Sequence, residues 1–383
     1  MGGGSGALCE RLVTPLDLIA SGPTATALSR PPSPADVSIC GIATAYPSIV
    51  LTQAEIAAKA AEVFGHRPDL MDRMARTYGH SGVVTRHSCV PLDWYSQSHG
   101  WPERMALFEQ HALHLMTEAG LSALATANVA ARDVAATVTV SSTGFATPSL
   151  DSLLQGPLGL GPTVQRLPIF GLGCAGGVIG LSRAAALATA MPGRWVLFLC
   201  AELCGLTFRR GDDSKANIIG TTIFGDGAAA VLLRAGVADG AGSTIDFWGE
   251  HTWPATRDIM GWRIEDDGLG VVFSRSIPNL IKSEMKAVSD SFLNANGLTQ
   301  NELAGFIVHP GGEKVVAALE EVYGLPAGGL TDARAVLADK GNMSAVTVLA
   351  VLERTMARRA MGRHLMGALG PGFSAGFAVL TLR

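Results

Sequence analysis

The stretch Phe170–Ala190, "FGLGCAGGVIGLSRAAALATA", decides the reading of this chain. Gly171, Gly173 and Gly176 are spaced as G-x-G-x-x-G, and Cys174 stands among them where a loop enters a helix. Two chemistries compete for the segment. Glycines ahead of a helix can cradle a dinucleotide pyrophosphate, and Glu202, ending the next strand, sits near where a ribose-binding acid belongs. Against this, the segment feeding the glycines, "TVQRLPIFGLG", carries Pro168, and proline is excluded from the clean central strand that such a fingerprint follows. The other reading is a nucleophile. A thiol at a helix N-terminus feels the positive end of the macrodipole, which lowers its pKa toward thiolate. Gly173, Ala175 and Gly176 would let a substrate carbonyl approach and leave backbone N–H groups as oxyanion donors.

A nucleophilic cysteine needs a base and a third group that orients it. His309 ends the apolar run of "FIVHPGG" (Phe306–Gly312), on a loop edge with a strand behind it. The other histidines lack that frame. His111 and His114 read as a helix face, and His66, His80, His87, His99, His251 and His364 lie in polar or helical settings. Asn342 follows Gly341 at the head of "GNMSAVTVLAVLE" with Ser344 nearby, and alone it reads as an ordinary N-cap. The order Cys, His, Asn is also that of papain-like proteases, but their cysteine signature near the mature N-terminus is not seen. Cys9, Cys40, Cys89 and Cys200 read as inert buried thiols.

Composition narrows the field. The 383 residues are 48% hydrophobic and 16% charged, so a sizeable core is expected. A net charge of −4, spread without long runs, argues against a nucleic-acid surface and gives no polybasic membrane signal. The cysteines form no C-x-x-C pair, and Cys200 with Cys204 has no second cluster, so no metal site is expected. Reduced thiols in the cytoplasm fit better than a disulfide framework. No uninterrupted apolar run is long enough for a transmembrane helix. Residues 1–36, from the opening glycines to "RPPSPAD", read as a flexible leader without the charged n-region of a signal peptide.

From Val37 onward strands alternate with helices. "VSICGIATAYP", "VAATVTVSSTG" and "RWVLFLCAEL" read as strands, the last two buried on both faces. Thr52 with Glu55 gives a capping-box spacing, so a helix starts there. Pro102–Ala127 carries apolar residues at helical spacing. "FGDGAAAVLLRAG" and the terminal "GALGPGFSAGFAVLTLR" both read as a glycine turn entering a small-residue strand. Their recurrence suggests an internal duplication of an α/β unit, with residues 37–236 carrying the cysteine and 237–383 carrying the histidine and asparagine.

These pieces resemble the thiolase superfamily and, within it, the type III polyketide synthases, the chalcone synthase-like enzymes. The resemblance rests on "GLGCAGG", "AELCGLTFR", "IFGDGAAAVLL", "GLGVVFSRSIPNLI", "VHPGGEKV", "GNMSA" and "GALGPGFSAG", in family order from Val37 to Arg383. His-Pro-Gly-Gly with Gly-Asn-Met-Ser separates it from the ketoacyl-ACP synthase III branch, which usually reads His-Gln-Ala-Asn at the histidine. The resemblance implies a duplicated five-layer αβαβα fold and a homodimer. It implies that Cys174 carries the acyl group, that His309 holds its thiolate as an ion pair, and that His309 and Asn342 polarise a malonyl thioester oxygen during decarboxylation. CoA thioesters are then substrates, and no metal or redox cofactor is implied. Phe224 matches the family's gatekeeping phenylalanine.

Positions that line the plant enzymes' cavity fall on Ser142, Thr147, Cys204, Thr207, Ile223, Trp262, Val271 and Ser344. Thr147 is small where the plant residue is methionine, and Trp262 is bulky where plants carry glycine. The "GLGCAGG" and "MGWRIEDDGLGVVFSR" segments are more similar to bacterial long-chain alkylpyrone and alkylresorcinol synthases. The expected reaction is therefore a fatty acyl-CoA starter extended with malonyl-CoA and cyclised to an alkylpyrone or alkylresorcinol. The alternatives are a single condensation of the ketoacyl-ACP synthase III kind and, more distantly, a dinucleotide-binding oxidoreductase. Arg73 and Arg76 are candidates to meet CoA phosphates.

Overall fold

The computed structural model describes residues 37–67, 77–236 and 242–383. The leader and the candidate CoA-binding residues Arg73 and Arg76 lie outside them. The first half of the chain contains β1 (Val37–Ala45), β2 (Ile49–Thr52), α1 (Gln53–Val63), β3 (Thr85–Ser88), α2 (Trp101–Thr126) and β4 (Val134–Ser141). It continues with α3 (Leu150–Leu153), α4 (Gln155–Leu158), β5 (Gln165–Phe170), α5 (Gly176–Ala190), β6 (Trp195–Leu203), α6 (Lys215–Ile223) and β7 (Asp226–Ala235). The second half contains β8 (Ser243–Thr252), β9 (Met260–Glu265), β10 (Gly268–Phe273), α7 (Ile277–Ala295) and β11 (Gly305–Val308). It ends with α8 (Glu313–Val322), α9 (Thr331–Lys340), α10 (Ala345–Ala357), β12 (Gly362–Gly370) and β13 (Ser374–Leu382).

Nine strands are hydrogen-bonded in the order β11-β12-β13-β8-β1-β7-β6-β4-β5. The duplication expected from the sequence is visible in the pairing. In the first half β4 runs parallel to β6, β6 antiparallel to β7, and β7 antiparallel to β1. In the second, β11 runs parallel to β12, β12 antiparallel to β13, and β13 antiparallel to β8. Within the nine-stranded sheet the two halves join where Val37–Ile39 of β1 pairs with β8. Pro168 sits in β5, which is an edge strand, as its missing N–H requires. The capping box holds: the Glu55 N–H donates to Thr52 Oγ1 at 3.2 Å and the Thr52 N–H to Glu55 Oε2 at 2.8 Å.

Two helices form the middle layer. Helix α5 packs on β4, β6 and β7 from one half and on β12 and β13 from the other, and α10 packs on α5 and on strands of both halves. Both are apolar nearly all round, which is what burial on every side demands. Gly173–Ala190 is long and apolar enough to cross a membrane, but most of it is buried inside the protein, as a core helix is. The outer layers are amphipathic. Helix α2 covers β1, β6 and β7, and Phe292 of α7 stacks on Phe377 of β13 at 5.4 Å.

The central helices touch at Gly177. A Cβ added there would stand 2.2 Å from the Ala345 carbonyl oxygen. Gly177→Ala should therefore destabilise the protein by about 1–3 kcal/mol through overpacking, read as a lower urea midpoint at unchanged slope.

Candidate active site

Cys174 lies on a tight turn, Gly173–Ala175, that leads into α5. Two features fix that turn. Gly173 has φ +50°, and a Cβ there would meet the Pro371 ring at 2.5 Å. The Gly173 N–H donates to Ser142 Oγ at 2.8 Å, at the end of β4. His309 follows β11, and its N–H donates to the Gly367 carbonyl of β12 at 2.9 Å. Further along β12, Gly370 abuts the cysteine turn, where an added Cβ would lie 2.7 Å from Ala175 Cβ.

Asn342 lies between α9 and α10. It is not the N-cap of α10; Ser344 occupies that position, with φ +46°. The Asn342 N–H donates to the Ile223 carbonyl at 2.7 Å, its Oδ1 accepts from the Ser344 N–H at 2.8 Å, and its Nδ2 donates to the Gly311 carbonyl at 3.2 Å. The last bond ties the asparagine to the loop that carries His309. Phe224 and Asn342 form an isolated parallel β-bridge, in which the residues flanking the candidate gate bond Asn342: its N–H donates to the Ile223 carbonyl and its carbonyl accepts from the Gly225 N–H at 3.0 Å.

Burial dominates the electrostatics. The Cys174 thiol is pushed up to about 12, chiefly because burial penalises thiolate, with the Ser344 hydroxyl opposing and the Glu202 carboxylate adding to the rise. His309 is pulled down to about 4 by burial. Burial thus opposes the acidification expected from the helix dipole and favours the neutral forms of the thiol and the imidazole. Both ring nitrogens of His309 are buried without a hydrogen-bond partner among the described residues.

The thiol faces a cavity that is also lined by Cys204, Phe224, Trp262, Val271 and Ser344. A second cavity shares Cys204, Phe224 and Val271 with it and continues between α1, Leu92, Tyr95 and Phe208. Its further walls include Ile56, Ala60, Val63 and Phe64. Phe224 therefore stands between two spaces, its ring 6.2 Å from that of Trp262 and 5.9 Å from that of Phe273. Of the other expected cavity residues, Thr207 lines the second space only. Ser142 braces the cysteine turn through its hydroxyl and does not line these two cavities. Ile223 is buried and holds Asn342 through its carbonyl, and Thr147 is exposed; neither lines these two cavities.

The dinucleotide reading falls on geometry. Gly176 packs against Val140 and Ala345, leaving no cradle for a pyrophosphate. Glu202 is fully buried, with Oε2 accepting from the Ser142 N–H at 3.0 Å and from Thr143 Oγ1 at 2.8 Å. Burial raises its carboxyl to about 7. The nucleophile reading had given this residue no part. Its one sequence signal was an acid ending an otherwise apolar buried strand.

Fold and site together define a thiolase-like enzyme with a buried thiol at the head of a central helix. Residues 32–237 match the chalcone and stilbene synthase N-terminal domain, and residues 247–380 match the C-terminal domain. The chain belongs to the chalcone and stilbene synthase family, the type III polyketide synthases, which are condensing acyltransferases that use malonyl-CoA. It is 35% identical over 349 residues to a 1,3,6,8-tetrahydroxynaphthalene synthase of Streptomyces peucetius subsp. caesius, covering 90% of this chain and 92% of the relative. It is 29% identical over 357 residues to the alpha-pyrone synthesis polyketide synthase-like Pks18 of Mycobacterium tuberculosis, covering 89% and 90%. The crystal structure of PKS-I from the brown alga Ectocarpus siliculosus superposes with a TM-score of 0.86 at 26% identity, covering 92% of this chain and all of that one.

A neutral thiol makes a test. Alkylation of Cys174 by iodoacetamide should rise about tenfold per pH unit from about pH 6 to pH 9, because only the thiolate reacts. A plateau across that range would instead mean a stable thiolate–imidazolium pair.

Proposed function

We propose that the chain loads a fatty acyl-CoA starter on Cys174, extends it two or three times with malonyl-CoA, and cyclises the product to an alkylpyrone or alkylresorcinol. The observation that carries this reading is the apolar second cavity, which continues from the cysteine's own cavity past Phe224 and offers an alkyl chain a dry path. The similarity to an alpha-pyrone synthase supports the ring type.

In this reading His309 takes the thiol proton as the acyl-CoA docks, the sulfur attacks the thioester carbonyl, and CoA leaves with the proton. Malonyl-CoA then loses CO2, and the negative charge collects on its thioester oxygen. Neutral His309 and the second Nδ2 hydrogen of Asn342 are the donors to that oxygen, and their worth is raised by the exclusion of water. The enolate carbon attacks the Cys174 thioester, the sulfur departs, and the lengthened chain is carried on CoA. This chemistry requires no metal or redox cofactor. Trp262 and Phe273 narrow the cysteine's cavity and would limit the number of extensions.

Two chains are proposed to pair through the β5 edge. Leu167, Phe145 and Phe170 are exposed there, with the two phenylalanine rings 6.2 Å apart. The reduced thiols at Cys89, Cys174, Cys200 and Cys204 and the CoA substrates suit a cytoplasmic enzyme.

The test is a product assay with malonyl-CoA and starters from acetyl- to stearoyl-CoA, read by mass spectrometry. Ring products from long chains are expected, and a product formed equally well from malonyl-CoA alone would overturn the long-chain starter. Cys174→Ala should abolish extension, while Cys174→Gln should retain malonyl-CoA decarboxylation. His309→Ala and Asn342→Ala should each lower decarboxylation on the order of 10²- to 10³-fold.

A further inference from the structure

Arg86, on β3, is 4% exposed, and among the described residues its guanidinium hydrogen-bonds carbonyl and amide oxygens rather than a carboxylate. Nη1 donates to the carbonyls of Thr221 at 2.8 Å and Phe224 at 2.9 Å. Nη2 donates to the Thr222 carbonyl at 3.0 Å and to Gln53 Oε1. Gln53 in turn donates from Nε2 to the same Thr222 carbonyl at 2.9 Å and to Ser81 Oγ at 2.7 Å. Three of the four acceptors are the carbonyls that end α6, where the helix dipole is negative and the last C=O groups lack partners within the helix. The guanidinium therefore caps the helix whose final residue is followed directly by Phe224.

We propose that Arg86 is a positioning residue for acyl-chain admission, fixing the backbone of Thr221–Phe224 and so setting how far the Phe224 ring closes the passage between the two cavities. The inference rests on the reading of Cys174 as acyl acceptor and of Phe224 as the partition. The same contacts reach Asn342. The Arg86 stem packs near both Gly225 and Gly341, and the Phe224–Asn342 bridge lies between those glycines. Burial lowers the guanidinium only to about 10, so it stays charged at neutral pH. Lysine would keep the charge but not the planar fork, since its donors radiate from one atom and cannot span four acceptors.

The experiment compares labelling of Cys174 by N-ethyl- and N-octylmaleimide in wild type, Arg86→Lys, Phe224→Ala and the double variant, with Cys174→Ala as the blank for other thiols. Arg86→Lys should shift the octyl-to-ethyl rate ratio on the order of fivefold, and in the Phe224→Ala background the same change should move it by less than about twofold, the signature of two residues acting as one. A ratio unmoved by Arg86→Lys, or effects that multiply independently, would overturn the proposal. Should Arg86→Lys fail to fold by near-ultraviolet circular dichroism, Gln53→Ala replaces it, with a smaller shift in the same direction expected. Labelling needs no turnover. A shifted ratio in a protein that makes no polyketide leaves the gate standing and the proposed reaction fallen, whereas an unshifted ratio in an active enzyme removes the gate role alone.

Discussion

The close crossing of α5 and α10 is the constraint on which the rest of the structure depends. At Gly177 and Ala345 the two buried helices meet backbone to backbone, with no side chain between them. Each belongs to one half of the duplicated fold, and each is crossed near its N-terminal end. The turn bearing Cys174 and the segment bearing Asn342 and Ser344 therefore converge. Two positive helix ends point toward one cavity, which costs some repulsion at rest and favours any negative charge that develops there. Neither half holds the whole site.

Burial sets the electrostatics of the resting site. Desolvation pushes the thiol up and the imidazole down, disfavouring the charged form of each. Glu202, beneath the cysteine turn, is raised by burial in the same way. The mostly apolar lining of the cavity suits an apolar substrate. The fixed dipoles that surround it are ready before any ion forms, and this is the condition under which hydrogen-bond donors are worth most.

Much of this was legible in the sequence, for local reasons. Thr52 and Glu55 announced a helix start because a capping box is satisfied within one turn. Pro168 marked an edge strand because a missing N–H cannot sit in a central one. Cys174, His309 and Asn342 were found from motifs that each occupy a few residues. What stayed hidden was long-range. The glycines of "GLGCAGG" were read as room for substrate, whereas Gly173, Gly176 and Gly177 are filled by Pro371, Val140 and Ala345, partners from distant parts of the chain. The thiol's pKa direction was read from the helix dipole, a local effect, and was reversed by burial, a global one. Strand β12 went unread because "GRHLMGALG" has few β-branched residues and owes its conformation to neighbours on both sides. The contacts of Ser142 with the cysteine turn and of the Ile223 carbonyl with Asn342 were likewise beyond local reading.

Strand β12 touches the site twice. Its Gly367 carbonyl holds the His309 amide, and three residues on Gly370 abuts the cysteine turn. At a rise of about 3.3 Å per residue, the two anchor points are held about 10 Å apart by one uninterrupted piece of backbone. The strand is a caliper, and its setting cannot drift, since a slip of one residue would turn every side chain to the opposite face. The cavity walls answer to a different part of the molecule. Trp262 and Val271 ride on the separate β9–β10 hairpin, outside the large sheet. Lineages descended from this framework are therefore free to reshape what the enzyme accepts while the spacing of its reactive groups is inherited unchanged.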